Sequence, residues 1–496
     1  MGVEMCASRL LAPYFGNSLP VWGILIGLLL AYLAVGYSIG GRLADRQPRE
    51  AVLYRTAGWS GCVIGLIPHL SRPILRYSAG AFARYEAGAV LGSLLGVAAL
   101  FALPVVLLGC IPPFALRLSV KSTDTSGNAA GRVYALSTIG SLVGTFGTVF
   151  LLIPNLGTRS TIVFIAALLL SLAFLGLLQH IGRRALVYLL LLAAILALQL
   201  LPSGAIKPGQ SMIYETDSAY NYIQVLRNGE EIVLRLNEGE GIQSAYRPRQ
   251  VLTGYVYDYF LLVPLFRNAP LSPPVSSLCL IGLAAGTTAR QYTAVFGEIP
   301  IDGVEIDPAI VDAGMRFFDL KLPNLQVVVA DGRYYLAHSG QVYDVIIVDA
   351  YRPPYIPFHL ATLEFFGEVR DHLAPDGVVA INVARTESDY ALVDAIASTL
   401  KAIYPNVYIM DALGNLNSVV VATEQPSRFE TITTRLSELG DPVLQNVALR
   451  AAGRIREFTM PNSRVLTDDH APVEQIVHSI AARFLLGQQQ VQEVHQ

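Results

Sequence analysis

The sequence predicts an N-terminal multi-pass α-helical membrane domain, followed by a small β-hairpin unit and a Rossmann-type α/β domain. Three observations support this fold class. The first two hundred residues contain a series of long apolar runs. Residues 211–246 alternate apolar and polar side chains around an Asn-Gly pair. Beyond residue 275, short apolar runs that end in Gly or Asp alternate with helical patterns, which is typical of buried parallel strands.

The overall composition also indicates a membrane component. Of the 496 residues, 53% are hydrophobic and 15% are charged, whereas soluble proteins carry roughly 25% charged residues. The net charge of −3 offers no broad basic surface, so we expect no nucleic-acid partner. The four cysteines lie far apart and match no metal-ligand spacing. We therefore expect them to be small buried residues, with no disulfide framework and no metal.

The predicted membrane domain covers residues 1–206. Its apolar runs are each about as long as a bilayer span requires, and they lie near 20–40, 51–70, 88–109, 133–153, 160–178 and 185–201. These runs predict about six spans, and the stretch around Glu4 and Arg9 is consistent with the tail of a further, truncated helix. The spacing of Gly140, Gly144 and Gly147 suits close contact between helices in lipid.

The chain leaves the membrane domain through a short β-rich unit, predicted over 211–246. Two alternating runs, 222–226 and 232–236, flank Asn228 and Gly229, and an Asn-Gly pair in this position is a strong hairpin signal. Residues 247–267 then predict a helix.

The α/β domain is predicted over 247–424. Its strands are expected within 275–286, 303–308, 327–332, 343–349, 377–383, 406–410 and 418–423. Only residues 411–417 separate the last two strands, and a parallel pair needs a longer crossover, so these two should be antiparallel. A reversed final hairpin is typical of class I methyltransferase-like domains. The remaining segment, 425–496, predicts a helix near 427–439 and a compact stretch at 466–474.

Candidate binding residues fall at the carboxyl ends of the first predicted strands, where such sheets bind ligands. Gly282 and Gly286 would let a ligand approach the backbone at the start of a helix. Glu305, about twenty residues further on, can accept both hydroxyls of a ribose. Asp331, followed by Gly332, could contact an adenine. The alternative for each carboxylate is a helix N-cap.

Asp349 ends the fourth predicted strand, next to the reactive part of a bound nucleoside. A carboxylate in this position could take a proton from an attacking amine, although a turn or cap residue is the alternative. The following proline-rich loop presents Tyr351 and Tyr355, whose rings would suit a cationic amine or would simply pack the loop.

Residues from about 211 to 424 resemble the spermidine synthase (polyamine aminopropyltransferase) family, and the whole chain resembles its bacterial membrane-fused members. The matching pieces are Ser-Ala-Tyr-Asn-Tyr-Ile-Gln-Val (218–225), Gly-Ile-Gln-Ser (241–244), the glycine turn, Val-Glu-Ile-Asp (304–307), Ala-Asp-Gly (330–332) and Asp-Val-Ile-Ile-Val-Asp (344–349). The family transfers an aminopropyl group from decarboxylated S-adenosylmethionine to putrescine. The resemblance implies that Glu305 holds the ribose, that Asp331 holds the adenine and that Asp349 deprotonates the amine. The substrate side would include Asn221, Gln243, Tyr257, Tyr351 and Arg352.

The amine half of the site departs from the family pattern. Ala285 stands where the family has the Asp that holds the donor's amine, and Arg352 stands where it has a second carboxylate. Asn221 replaces a Gln, and the stretch 256–258 differs as well. The arginine at 352 would attract a carboxylate and repel an amine. This preference would fit intact S-adenosylmethionine, which carries a carboxylate, or an acidic substrate. Asp468 and Asp469 could restore the missing charge if the tail covered the cleft, or they could form a turn before Pro472.

Three functional hypotheses follow from this pattern. The first is a membrane-bound aminopropyltransferase, the second is an S-adenosylmethionine-dependent methyltransferase, and the third is a non-enzymatic nucleoside or polyamine sensor or transporter. Basic residues are almost evenly divided between the two sides of the predicted spans, so charge does not orient the chain. A nucleoside co-substrate favours a catalytic domain on the cytoplasmic side of the cell membrane. The chain could also form a homo-oligomer.

Overall fold

The computed structural model describes residues 1–16, 19–82, 88–120, 126–200, 211–218, 220–237, 241–267, 275–351, 355–425, 434–436, 440–459, 464–480 and 483. Two compact units, Met1–Pro208 and Gly209–Gln496, make up the chain.

The N-terminal unit is helical throughout its described parts. Its helices are α1 (Gly2–Phe15), α2 (Leu19–Arg46), α3 (Glu50–Phe82), α4 (Gly88–Gly109), α5 (Ile111–Ser119), α6 (Ser126–Phe146), α7 (Ile153–Ile181) and α8 (Leu186–Leu198), with a π-helical turn at Gly147–Leu152 and a 3-10 turn at Gly182–Ala185. Helices satisfy all their backbone hydrogen bonds internally, and this is the form that long apolar segments take in lipid.

Of the described residues, three helical stretches are long and apolar enough to cross a membrane: Pro20–Arg46, Val90–Ser119 and Ser126–Leu198. The third is 73 residues long and contains the predicted fourth and fifth runs and most of the sixth. Left-handed backbone at Gly157 (φ 78°) and Gly182 (φ 54°) interrupts it. The run at 51–70 lies in α3, which is not among the three stretches. The number of six spans stays a prediction.

Glycines allow close helix contacts in this unit, and the closest of them lie outside the spacing that the sequence singled out. A Cβ atom on Gly36 would lie 2.4 Å from the carbonyl oxygen of Val106, so α2 and α4 touch through their backbones. Gly140 and Gly147, in contrast, have open space beside them. None of the residues of α6, all of which the structure describes, is buried. Gly144, the third glycine of that spacing, does lie against α1: a Cβ atom there would be 3.6 Å from the backbone nitrogen of Gly2. A contact between helices in lipid at Gly140 and Gly147 stays a prediction.

The second unit begins with a four-stranded antiparallel sheet, which is larger than the expected hairpin. Its strands, in spatial order, are β1 (Met212–Asp217), β2 (Tyr222–Asn228), β3 (Glu231–Leu236) and β4 (Ile242–Tyr246). The Asn-Gly turn is confirmed: Asn228 pairs with Glu231, and Gly229 has a positive φ of 63°.

The helix expected over 247–267 is mostly absent from the described structure. Only one helical turn, α9 (Tyr257–Phe260), and a 3-10 turn at Val263–Phe266 form there. Arg249 (φ 69°) and Gly254 (φ 84°) adopt left-handed backbone, which cannot continue a right-handed helix.

An eight-stranded sheet follows, with spatial order β12-β10-β11-β9-β8-β5-β6-β7. Its strands are β5 (Leu278–Ile281), β6 (Ile301–Glu305), β7 (Leu325–Val329), β8 (Tyr343–Val348), β9 (Leu373–Ala384), β10 (Asn406–Asp411), β11 (Asn417–Thr423) and β12 (Ile455–Glu457). The helices are α10 (Thr287–Phe296), α11 (Pro308–Phe317), α12 (Gly332–His338), α13 (Leu363–Asp371), α14 (Ala391–Lys401) and α15 (Pro442–Ala451), with a 3-10 turn at Phe358–Leu360.

Strands β5 to β9 pair in parallel, and β11 runs antiparallel to both β9 and β10. The predicted reversed final hairpin is thus confirmed. The sequence did not predict β12, which adds a strand from the C-terminal segment to the edge at β10. Of the helix expected near 427–439, only 434–436 is described, and it is helical; the rest lies outside the described residues.

The large sheet is buried on both faces, because alternate side chains of its central strands enter two separate apolar clusters. On β8, Val345 and Ile347 join one cluster, while Ile346 and Val348 join the other. Cys279 on β5 is fully buried, and all four cysteines are free and buried, as expected. This packing fixes the direction of the central strands and therefore the positions of their carboxyl ends.

Candidate active site

A cavity of about 310 Å³ lies at the carboxyl ends of the central parallel strands. It brings together, from the predicted site residues, Asn221, Gln243, Gly282, Glu305, Asp331, Gly332, Asp349 and Tyr351. Among the described lining residues, Gly286 and Tyr257 do not occur. Arg352 lies outside the described residues. The lining also contains Tyr220 and His359, which the sequence did not single out, and several apolar side chains.

The glycine turn after β5 depends on left-handed backbone. Gly282 (φ 96°), Ala284 (φ 49°) and Gly286 (φ 86°) all have positive φ. A Cβ atom on Gly282 would lie 2.4 Å from the carbonyl oxygen of Asp349, so this glycine allows the first turn and the end of β8 to touch. A Cβ atom on Gly286 would instead lie 2.0 Å from Leu320 Cδ1. Gly286 thus allows close packing at the start of α10 outside the cavity wall.

Replacing Gly282 by Ala is expected to destabilise the protein by about 2–4 kcal/mol, because it combines a strained φ with a clash against backbone. Gly297 is a matched control: its φ is 83°, and a Cβ atom there would meet nothing within 4 Å. Gly297→Ala should therefore cost only about 1–2 kcal/mol of backbone strain. Denaturant unfolding of the full chain in detergent would measure both. Equal destabilisation by the two substitutions would show that the contact with Asp349 is unimportant.

Glu305 ties the glycine turn to the end of β6. Its Oε2 accepts a hydrogen bond from the backbone N–H of Ala284 at 2.9 Å, and its Oε1 accepts one from the N–H of Asp307 at 3.0 Å. Burial raises the pKa of Glu305 to about 7, although these backbone N–H groups lower it. The carboxylate keeps further lone pairs, and these can accept the neighbouring hydroxyls of a ribose.

Asn221 is committed to the protein through both ends of its amide. Its Nδ2 donates to Asp307 Oδ2 at 3.0 Å, and its Oδ1 accepts from Asn237 Nδ2 at 2.9 Å. Asp307 also accepts from Ser218 Oγ at 2.5 Å. The Asn221 side chain therefore lines the cavity in a fixed orientation. Asp307, the last residue of the Val-Glu-Ile-Asp motif, holds it there through the hydrogen bond to Nδ2.

Asp331 is a helix N-cap, which was the alternative to a binding role, and it also contacts a histidine. Its Oδ1 accepts hydrogen bonds from the backbone N–H groups of Arg333 and Tyr334, both at 3.0 Å, so it caps α12. Its Oδ2 lies 2.9 Å from His359 Nε2. Sequence reasoning missed His359 because a single histidine in a short turn forms no motif.

Asp349 lies beyond β8 on the cavity wall, where Asn382 of β9 holds one of its oxygens. Asn382 Nδ2 donates to Asp349 Oδ1 at 2.9 Å, and Asn382 Oδ1 accepts from Asn417 Nδ2 at 2.9 Å. Burial raises the pKa of Asp349 to about 7, while the hydrogen bond from Asn382 lowers it. Asp349 can therefore accept a proton near neutral pH. Asn382 was not identified from the sequence, because the central part of β9 reads as an apolar strand.

Tyr257 and Tyr351 were both predicted to bind the substrate. The hydroxyl groups of these two tyrosines form hydrogen bonds with backbone groups. The Tyr351 hydroxyl donates to the carbonyl of Asn382 at 3.0 Å and accepts from the N–H of Ala384 at 2.8 Å. The Tyr257 hydroxyl donates to the carbonyl of Ile242. Burial first, and then the charge of Asp349, raises the pKa of both tyrosines. Tyr351 thus offers its ring rather than its hydroxyl to the cavity.

The tail does not supply a carboxylate to the described cavity. Asp468 pairs with Arg333 at 2.7 and 2.8 Å and accepts from Thr362 Oγ1 at 2.7 Å. Arg333 also pairs with Glu368 at 2.7 Å. Neither Asp468 nor Asp469 occurs among the described residues that line the cavity. Of the two alternatives, the structure favours a turn before Pro472, because Thr467 and His470 exchange backbone hydrogen bonds around these aspartates. Within the described residues, no group of three or more His, Cys, Asp or Glu side chains could hold a metal ion.

The strand order and the glycine turn define a Rossmann-like α/β domain of the class I methyltransferase type. Residues 291–419 match the family described as the spermine/spermidine synthase domain. This match covers 129 of the 496 residues, so the second unit is similar to that family over part of its length.

Several known proteins are similar to this chain over part of its length. A probable polyamine aminopropyl transferase of Bifidobacterium longum is 35% identical over 291 residues, which cover 54% of this chain and 63% of that protein. The polyamine aminopropyltransferase of Vibrio vulnificus is 29% identical over 281 residues, covering 53% of this chain and 91% of that protein. A human eEF1A lysine and N-terminal methyltransferase is 28% identical over 178 residues, covering 33% of this chain and 25% of that protein. The chain thus spans less than two thirds of the first of these relatives.

Proposed function

We propose that the chain is a membrane-attached aminopropyltransferase that uses decarboxylated S-adenosylmethionine and a polyamine acceptor such as putrescine. One observation carries this proposal: a proton acceptor with a pKa of about 7, Asp349, shares a cavity of about 310 Å³ with Glu305 and the glycine turn. The polyamine aminopropyltransferase relatives support the reaction class. The apolar N-terminal helices would attach the chain to the cell membrane, with the catalytic unit in the cytoplasm.

In the proposed reaction, Asp349 prepares the acceptor. Amines are protonated at neutral pH and must lose a proton before their lone pair can attack. The amine nitrogen attacks the aminopropyl carbon that is bonded to the sulfonium. A carbon–nitrogen bond forms, the carbon–sulfur bond breaks, and its electron pair stays on sulfur, which leaves neutral 5′-methylthioadenosine. The proton released from the amine goes to Asp349.

The charge of the cavity suits two cationic reactants. Glu305, Asp331 and Asp349 line it, and among the described lining residues none is Lys or Arg. A sulfonium and an ammonium are both attracted to such a site, while the carboxylate of intact S-adenosylmethionine would find no cation there among these residues. The acidic lining is consistent with the decarboxylated donor, which carries no carboxylate.

Methyl transfer from intact S-adenosylmethionine is the second candidate, and Ala285 favours it. This residue is fully buried, and its N–H donates to Ser244 Oγ at 3.0 Å. The glycine turn accordingly offers no carboxylate to the donor's amine. The similarity to a human methyltransferase points the same way.

The nucleoside product distinguishes these reactions. Purified full-length protein in detergent would be given either decarboxylated or intact S-adenosylmethionine, with putrescine and longer diamines as acceptors. We expect 5′-methylthioadenosine and a lengthened polyamine from the decarboxylated donor, detected by mass spectrometry. S-adenosylhomocysteine from the intact donor would establish methyl transfer instead. Nucleoside binding without either product would favour a sensor.

A further inference from the structure

Three polar side chains share one face of the large sheet beside the cavity: Asp349 after β8, Asn382 in β9 and Asn417 at the start of β11. In the parallel pairing of β8 with β9, the last residue of β8 lies beside Ile381, so Asp349 comes next to Asn382. In the antiparallel pairing of β9 with β11, Val419 lies opposite Asn382. Asn417 is two residues before Val419 and therefore points to the same face. The register of the strands thus brings the three side chains together.

Hydrogen bonds connect these side chains in one direction. Asn417 Nδ2 donates to Asn382 Oδ1 at 2.9 Å, and Asn382 Nδ2 donates to Asp349 Oδ1 at 2.9 Å. Asn382 is only 5% exposed. An amide has one oxygen and one NH2 group, so the amide whose oxygen is bonded to Asn417 presents its NH2 group to Asp349. A donor in this position stabilises the carboxylate form of Asp349.

The second carboxylate oxygen of Asp349 is left for the cavity. Within the described part of the chain, Oδ2 has no hydrogen-bond partner, and the residue is partly exposed where it lines the cavity. The charge of Asp349 contributes to the raised pKa values of Tyr257 and Tyr351, so both phenols stay neutral at pH values that ionise a carboxyl group. Glu305 and Asp331 line the same cavity from the ends of other strands.

We propose that Asn382 and Asn417, the asparagine pair, are positioning residues that keep Oδ1 of Asp349 hydrogen-bonded and leave Oδ2 as the atom that takes the proton from the acceptor amine. The N–H bond of the amine breaks as its nitrogen attacks the carbon next to sulfur, and the proton forms an O–H bond at Oδ2. This inference rests on the proposed function, because the proton comes from the acceptor of that reaction.

The first test is the pH dependence of the rate. In the Asn382→Leu variant, a side chain of similar size cannot donate, so Asp349 loses the hydrogen bond that favours its carboxylate. The apparent pKa of the kcat profile should rise from about 7 by about one to two pH units, because a hydrogen bond to a charged group is lost. The rate should fall about tenfold near neutral pH and recover in alkali, with little change in the KM for the nucleoside. Steady-state kinetics on the full-length protein in detergent, with decarboxylated S-adenosylmethionine and putrescine, would measure both.

Asn417→Leu tests the asparagine pair from its outer end. Without the hydrogen bond from Asn417, the Asn382 amide is free to turn its oxygen toward Asp349, where it opposes the carboxylate. The apparent pKa should rise in the same direction as in Asn382→Leu, by about half to one pH unit. A wild-type profile for Asn417→Leu would remove this residue from the proposed pair.

Asn324→Leu is the matched control. Asn324 immediately precedes β7, at the opposite end of the parallel strands from the cavity. Its Nδ2 donates to the Ile299 carbonyl at 2.7 Å and to Thr293 Oγ1 at 3.1 Å. Its replacement should lower the melting temperature and leave the pH profile unchanged. If Asn382→Leu instead reduced the rate equally at all pH values, the role of Asn382 would be structural and the proposal would be overturned.

A second readout needs no turnover. For each variant, the melting temperature would be compared with and without Asp349→Asn across the pH range. Folding gains from a raised carboxyl pKa at low pH and loses this gain as pH rises through the folded-state pKa, so the loss should end near pH 7 in the wild type. In Asn382→Leu it should continue to about one to two pH units higher.

The two readouts separate this inference from the proposed function. If the melting curves shift as expected but the wild type forms no 5′-methylthioadenosine, the proposed function falls, while the control of Asp349 protonation by the asparagine pair stands. If the wild type is active and Asn382→Leu keeps both its pH profile and its melting curves, the asparagine pair has no such role and the proposed function is unaffected.

Discussion

Asp349→Asn should lower the rate of transfer about 10²–10⁴-fold, the usual loss when a general base is removed. Asn has the same shape and can keep the hydrogen bond from Asn382, so the fold and the KM for the nucleoside should change little. Steady-state kinetics with the decarboxylated donor would measure kcat and both KM values. Asp371→Asn is a matched control, because Asp371 is exposed at the end of α13 and should leave the kinetics unchanged.

The pH dependence provides a second readout of Asp349. Because its pKa is raised to about 7, the rate should rise with pH up to about 7 and then level off, and Asp349→Asn should lose this rise. A carboxyl group whose pKa is higher in the folded than in the unfolded state favours folding at low pH, and this contribution is lost as pH rises through about 7. The substitution should therefore raise the melting temperature more at pH 8 than at pH 5. A variant that retains the wild-type rate and pH profile would exclude Asp349 as the base.

Glu305→Ala should weaken the binding of 5′-methylthioadenosine about 100-fold, because two charge-assisted hydrogen bonds to the ribose are lost. The Ala284 and Asp307 N–H groups also lose their acceptor, so the glycine turn should loosen. Glu305→Gln keeps the side-chain volume and one acceptor, and it should fall between Ala and the wild type. Calorimetry on the full chain would measure the three affinities.

The control for Glu305 is Glu298→Ala. Glu298 is exposed and precedes β6, so it lies at the opposite end of that strand from the cavity. Its removal should leave nucleoside affinity unchanged. Equal affinity of the Glu305→Ala variant and the wild type would mean that Glu305 serves only to hold the glycine turn. The ribose contact would then have to come from elsewhere on the cavity wall.

Much of the α/β domain could be predicted because its signals are local. The apolar strand runs, the Asn-Gly turn and the short link at 411–417 each act over a few residues, and the structure confirms the reversed hairpin they imply. The expected helix over 247–267 was wrong, because left-handed backbone at Arg249 and Gly254 breaks it. Strand β12 is only three residues long and forms solely by pairing with β10. The first of these features has local signals in Pro248 and Gly254, which disfavour a continuous helix. Strand β12 has no clear local signal.

The sequence by itself determined which residues end the central strands, and so which side chains, Glu305, Asp331 and Asp349 among them, meet in one cavity. Only the tertiary structure decided which hydrogen-bond and ion-pair partners the side chains of this region have. Asp331 pairs with His359, 28 residues away; Asn221 with Asp307, 86 residues away; and Asp468 with Arg333, 135 residues away. Strand period and turn chemistry act between neighbours in the chain, whereas a hydrogen bond depends on distances of about 3 Å that only the packed fold sets.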